Sequence, residues 1–293
     1  MRLLELSNQK IDILTEGGSL GGVGSIHIDE IEPTLTKLEK SIGVDLKNNV
    51  LGSVGKTQFS GDIDVALQIE PEAIPGFIER LKSNPDILDL SKSSVIMTKV
   101  QIVNYDPDKE TDRPRTGYVQ LDFMPGDPGW LKTYYHSPGD ESKYKGVYRN
   151  ILLATIAALF DMKNSDDETE DGRPLSSERF LFSPTEGLVK IIRTPVPKVS
   201  GKGYTKKNKN KIIDGPWKTP DDIAKILNLD SGSDLNSYET LKSAIEKNYP
   251  EDMVNKILGS FVDNRQIQDM GVPEDLLADQ DIMNYMAKLG GNK

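Results

Sequence analysis

The sequence predicts an α+β fold: a mixed β-sheet with flanking helices, followed by a mainly helical C-terminal region. Two observations carry this. Between residues 29 and 125 the apolar spacing switches between a helical period and a two-residue strand period, in the order helix, strand, strand, helix, strand, strand. From Thr219 onward the pattern is helical. A chain of 293 residues can bury a substantial core and divide into parts. The expected division is a Gly-rich segment over 1–25, a core over 26–145, and an accessory region over 146–293 with a Lys-rich loop at 198–211.

The first segment holds Gly17, Gly18, Gly21, Gly22 and Gly24. It has neither a convincing preceding strand nor the glycine order of a dinucleotide loop, and reads as a flexible loop or a lip over the active site. Ile31, Leu35, Leu38 and Ile42 then place one apolar stripe on a helix from Asp29 to Ile42, with Pro33 in its first turn. A short strand is expected at Asn49–Leu51 and a longer one at Asp62–Ile69. A helix follows from Pro71 to Ser83, on Ile74, Phe77, Ile78 and Leu81, and then a strand at Val95–Val103. Asp106 to Thr116 is polar and reads as a loop before a strand around Tyr118–Pro125.

Gly126 to Trp130 reads as a loop leaving that strand. Trp130 and Tyr134 either stack on a base or seal the edge of the core. Val147–Met162 is expected to be a buried helix, and Asn164–Gly172 an acidic solvated loop. Arg179–Arg193 reads as two strands about a Pro-Thr-Glu-Gly turn. Helices are expected from Pro220, over Tyr238–Lys247, over Glu251–Val262 and over Glu274–Leu289.

Lys and Arg number 36 against 46 Asp and Glu, a net charge of -10, which argues against a protein that coats nucleic acid indiscriminately. It leaves room for a local basic groove. Lys198, Lys202, Lys206, Lys207, Lys209 and Lys211 form such a run, which reads as a contact for RNA or DNA, a clamp on a triphosphate, or a solvated disordered loop. There is no cysteine, so disulfides and thiolate metal sites are impossible. His27 and His136 are the only histidines, which excludes a histidine-rich metal site. The N-terminus lacks the pattern of a signal peptide, and the apolar stretch Ile151–Phe160 is too short to span a bilayer. A soluble, cytoplasmic protein without a membrane partner is therefore expected.

The chemistry is concentrated in Leu51-Gly52-Ser53 and Ser60-Gly61-Asp62-Ile63-Asp64-Val65. On a strand, Asp62 and Asp64 project from one face while Ile63 and Val65 face the core. Adjacent carboxylates repel unless a cation lies between them, and Mg²⁺ suits hard oxygen ligands shared with substrate phosphates. Gly52 lets the backbone approach a phosphate, and Ser53 adds a hydroxyl donor. A hairpin with surface acids is the bland alternative.

This run resembles the signature of the DNA polymerase β-like nucleotidyltransferase superfamily. In that family a Gly-Ser or Gly-Gly turn precedes Asp-x-Asp or Asp-x-Glu, and a third acid lies on a later strand between apolar residues. Asp122, between Leu121 and Phe123, matches the third acid. The resemblance covers roughly residues 30–125 and implies the family's core, a mixed sheet with helices against it. It implies that Asp62, Asp64 and Asp122 are catalytic and hold metal, two Mg²⁺ ions with Mn²⁺ as an alternative. It also implies that Gly52 and Ser53 bind the triphosphate. Lys56 matches loosely, because the loop lacks the double arginine of repair polymerases. The implied activity moves an NMP from an NTP to a hydroxyl acceptor, here expected to be a nucleic-acid 3′ end of tRNA or RNA, without a template. Lys202, Lys206, Lys207 and Lys209 would contact that RNA or DNA. Transfer to a protein, a small molecule or a second nucleotide is the alternative, and a non-catalytic binding module a third.

Overall fold

The computed structural model describes residues 20–139, 142–199, 203–278 and 282. They fall into two compact units that change over between Gly139 and Asp140.

The first unit runs β1 (Ile26–His27), α1 (Ile28–Ile42), β2 (Phe59–Ser60), β3 (Asp62–Leu67), α2 (Ile74–Lys82), β4 (Ile87–Lys92), β5 (Ile96–Gln101), β6 (Tyr118–Pro125) and α3 (Pro128–Tyr134). Its main sheet has the order β3-β6-β5-β4. β3 and β6 pair in parallel, while β6–β5 and β5–β4 are antiparallel, so the sheet is mixed. β1 and β2 form a separate antiparallel pair.

One face of this sheet is the core. Ile63 and Val65 from β3, and Val119, Leu121 and Phe123 from β6, are fully buried against Leu35 and Leu38 of α1 and Phe77 and Leu81 of α2. Helix α1 starts where His27 Nδ1 accepts from the Asp29 N–H at 3.2 Å and Glu30 accepts from the His27 N–H at 2.9 Å. It ends at Gly43, whose φ of 72° is the left-handed cap favoured by glycine. Glu30 is buried and forked by Arg115 at 2.8 and 2.9 Å. Arg115 also donates to the carbonyls of Ser25 and Asp106, so this pair pins α1 to the loop before β6.

Two local expectations fail in this unit, and one strand is unforeseen. Lys47–Asn49 is a single 3₁₀ turn, and only Val50 makes a bridge, with Val65, so the strand expected at Asn49–Leu51 does not form. β4 lies in a stretch that carried no strand prediction. The loop expected after β6 contains α3. Asp127 caps this helix, accepting from the N–H groups of Gly129 and Trp130, and Pro128 opens it. Trp130 and Tyr134 are buried on α3, the core-sealing reading of the two aromatics.

The second unit runs α4 (Gly146–Leu159), β7 (Lys163–Asn164), β8 (Ser177–Ser183), β9 (Gly187–Pro197), β10 (Tyr204–Trp217), α5 (Pro220–Ile226), α6 (Tyr238–Asn248), α7 (Glu251–Val262), α8 (Arg265–Met270) and α9 (Glu274–Leu277). Its sheet is antiparallel, in the order β10-β9-β8-β7. Leu152, Leu153 and Ile156 of α4 are fully buried, as are Leu241 and Ile245 of α6 and Ile257 and Phe261 of α7. Tyr238 stacks on Phe261 with ring centres 5.6 Å apart. Arg149 is buried and donates to the Leu235 carbonyl at 2.6 Å and to Asn150 at 2.7 Å.

The region from Thr219 is helical as expected, but a sheet precedes it. The Lys-rich loop at 198–211 is corrected accordingly: Lys206, Lys207, Lys209 and Lys211 lie within β10, where Lys209 and Lys211 stand opposite Thr194 and Ile192 of β9. Lys202 lies outside the described residues. The acidic segment 164–172 is tied down where Thr169 and Arg173 exchange hydrogen bonds and Arg173 pairs with Asp171 at 3.0 Å. The helix expected over Glu274–Leu289 is described only as far as α9, and its remainder lies almost wholly outside the described residues. Among the described residues no helix is long and apolar enough to cross a membrane.

Candidate metal and nucleotide site

The sheet face opposite the core carries the acids. Alternation along β3 turns Asp62 and Asp64 away from Ile63 and Val65, and alternation along β6 turns Gln120 and Asp122 away from Leu121 and Phe123. The parallel register sets Asp62 beside Gln120 and Asp64 beside Asp122. One carboxylate oxygen from each of Asp62, Asp64 and Asp122 lies within 4.8 Å of the others. Asp62 and Asp64 are half-buried and Asp122 is fully buried.

That burial sets the electrostatics. Desolvation pushes the Asp122 carboxyl up to about 7; the hydrogen bond from Gln120 opposes this, and the charge of Asp62 adds to it. Asp122 Oδ2 accepts from Gln120 Nε2 at 3.0 Å, while the buried Oδ1 accepts no hydrogen bond. A buried oxygen without a donor is costly, and a cation among the three carboxylates would satisfy it. The donor set is all carboxylate oxygen, which fits a hard divalent ion such as Mg²⁺ or Mn²⁺.

The Gly-Ser turn lies against this cluster. Leu51 N–H donates to the Asp64 carbonyl at 2.9 Å, fixing the turn alongside β3. Gly52 has a φ of 66°, and a Cβ there would stand 3.7 Å from Asp64 Oδ2. Ser53 is exposed, and its carbonyl accepts from the Lys56 N–H at 3.1 Å. The buried Ser60 hydroxyl accepts from Gly55 N–H at 3.2 Å and so closes the loop leading into β3. Lys56 Nζ donates to the Ser137 carbonyl, which ties the loop to the segment after α3. The structure thus brings Gly52 to the carboxylates and gives the Lys56 ammonium a partner within the protein.

Three neighbours of the cluster were not singled out in the sequence. Gln120 holds Asp122, and its place two residues earlier on an alternating strand was a readable signal. Tyr135 has its hydroxyl pushed up to about 12, by burial first and by the charge of Asp64 second. It belongs to the aromatic run after the third acid, but nothing in the sequence places it beside Asp64. Arg113 comes within 3.6 Å of where a Cβ on Gly61 would lie, one residue before Asp62, on a loop whose sequence marks it only as polar.

No family model matches this chain, and no curated protein matches it. Among solved structures it is similar to polymerase beta of Leishmania infantum. The ternary gap complex of that protein aligns at 14% identity and a TM-score of 0.35, over 56% of this chain and 51% of the polymerase chain. This chain therefore spans about half the polymerase's length in that alignment. The ternary P/T complex aligns at 12% identity and the same TM-score of 0.35, over 70% of this chain and 73% of the other.

Proposed function

We propose that this protein is a divalent-metal-dependent nucleotidyltransferase that moves an NMP from an NTP to a hydroxyl acceptor. The observation that carries the reading is the convergence of Asp62, Asp64 and Asp122 within 4.8 Å, beside the Gly52 turn. Bound Mg²⁺ would supply charge neutralisation of the phosphates and stabilise both the attacking and the leaving oxygen. Asp62 and Asp64 would hold that charge in place, on a strand whose other face is locked in the core. Gly52 and Ser53 would cradle the β- and γ-phosphates, the glycine giving close backbone approach and the serine a hydroxyl. Asp122 would share the metal and help take the proton of the acceptor hydroxyl as its oxygen attacks the α-phosphorus and pyrophosphate departs. Positioned charge suffices for such chemistry, so neither cysteine nor histidine is needed.

The acceptor on this reading is the 3′ end of an RNA, extended without a template. The support is the cluster of lysines on β10 in an otherwise acidic protein. Incubation with each α-labelled nucleoside triphosphate and Mg²⁺, with and without total RNA, DNA and protein, tests it. Label on RNA is the expected result. Label on protein or on a small soluble product would replace the acceptor, and no label under any condition would overturn the enzymatic reading.

A further inference from the structure

Gln120 uses both ends of its amide, and neither use is needed to build the sheet. Its Nε2 donates to Asp122 Oδ2 at 3.0 Å, and its Oε1 accepts from the main-chain N–H of Leu20 at 3.2 Å. Gln120 is 3% exposed, so water does not compete for either bond. These two bonds fix which way the amide points, since the opposite orientation would set two donors face to face at Leu20 and two acceptors at Asp122. They also decide which Asp122 oxygen is consumed inside the protein and which remains for a ligand. Oδ2 is taken and the buried Oδ1 is left to the cluster.

Leu20 is held in turn. The glycine-rich stretch that follows it lies along the approach to β6: Lys99 Nζ donates to the Gly21 carbonyl at 3.0 Å, and Gly24 N–H donates to the Tyr118 carbonyl at 2.8 Å. Lys99 stands opposite Gln120 in the β5–β6 register, so both polar ties rise from the face that carries the acids. Gly24 packs so closely that a Cβ there would lie 2.5 Å from the Pro114 carbonyl oxygen. The described part of this stretch is thus a strap laid on the sheet.

We infer that Gln120 is the positioning residue of the third carboxylate: anchored by the strap at Leu20, it clamps Asp122 Oδ2 and presents Oδ1 to a divalent cation shared with Asp62 and Asp64. The inference rests on the metal site proposed above. Groups that orient a metal ligand from behind typically contribute 10- to 100-fold to metal affinity.

The test is Mn²⁺ binding to the full chain by calorimetry, with no nucleotide present. Gln120→Met keeps the side-chain length and removes both polar ends, and should weaken Mn²⁺ binding by about tenfold or more. Thr98→Val is the control. It deletes another buried hydrogen bond to β6, from Thr98 Oγ1 to the Leu121 carbonyl at 2.8 Å, and should leave affinity within about twofold. Equal weakening by both variants would mean that any loosening of β6 suffices, and would overturn the role of Gln120. Unchanged affinity in folded Gln120→Met would also overturn it. Should Gln120→Met not fold, the wild-type protein decides by NMR: the Gln120 side-chain amide resonances should move on Mg²⁺ titration, and static resonances at saturation would refute the clamp. Wild-type protein that binds no Mn²⁺ would overturn the metal reading itself. Binding that Gln120→Met leaves intact would overturn only this inference.

Discussion

Asp62 and Asp64 differ from Asp122 in one respect that their identical side chains conceal: two are half-buried and one is sealed. On the proposed reading the half-buried pair carries the substrate's metal, so Asp62→Asn and Asp64→Asn should each reduce turnover to background while thermal unfolding stays close to wild type. Near-normal turnover in either variant would remove that residue from the metal pair. Asp122 makes a second prediction. Its carboxyl titrates near 7 in the folded chain and at an ordinary carboxylate value when unfolded, so the folded state binds the extra proton between those limits. Stability of the metal-free protein should therefore fall as pH rises from about 4 to about 7, by on the order of 4 kcal/mol at most from this group, and level off above. Asp122→Asn should lose that slope and be the more stable protein at pH 8, as denaturant titrations at a series of pH values will show. Because the ligand must be deprotonated, Mn²⁺ affinity of the wild type should fall by up to about tenfold per pH unit below 7.

Among the elements, β3 and β6 were legible because strict alternation separates Ile63, Val65, Leu121 and Phe123 from the acids, and a buried face fixes register. The convergence of the three acids followed from that alternation once the strands were taken as neighbours. β10 was not legible. Asn208, Lys209, Asn210 and Lys211 have little strand preference of their own, and their conformation comes from pairing with β9, as Lys209 with Thr194 and Lys211 with Ile192; Lys206 and Lys207 fall where the register shifts. β4 hid for a related reason: its register slips between Ile87 and Asp89, which breaks the alternation that would have revealed it. The helix α3 was readable in principle, since Asp127-Pro128 is a cap followed by a first-turn proline. The strand conformation sharpens the lysine test. From Asn208 onward, Lys209 and Lys211 lie on one face and Asn208 and Asn210 on the other. Replacing Lys206, Lys207, Lys209 and Lys211 with threonine keeps strand preference while removing charge. RNA affinity should drop, and its log-log salt slope should flatten by about 0.7 per lost phosphate contact. An unchanged slope would leave β10 without a part in acceptor binding.

Taken whole, the chain separates its chemistry from its basic strand: the three acids belong to the unit ending at Gly139, and β10 to the other. Each unit has its own buried apolar residues. A fragment ending at Gly139 should therefore unfold cooperatively and retain Mn²⁺ binding while losing RNA binding, measurable by thermal melts and calorimetry. A fragment that binds no Mn²⁺ would show that the second unit is needed to form the site. The position of β10 in its sheet has a consequence of another kind. It is the terminal strand, so one side of its backbone ladder meets no strand among the described residues, and Ile212 and Ile213 are exposed at its far end. Such an edge is a template for pairing with a second chain, and like charges along it oppose that pairing. The same lysines proposed to draw in RNA would then also oppose edge-to-edge pairing of two copies. Any modification that neutralises them, such as acetylation, would remove that repulsion and favour strand-to-strand assembly at high protein concentration.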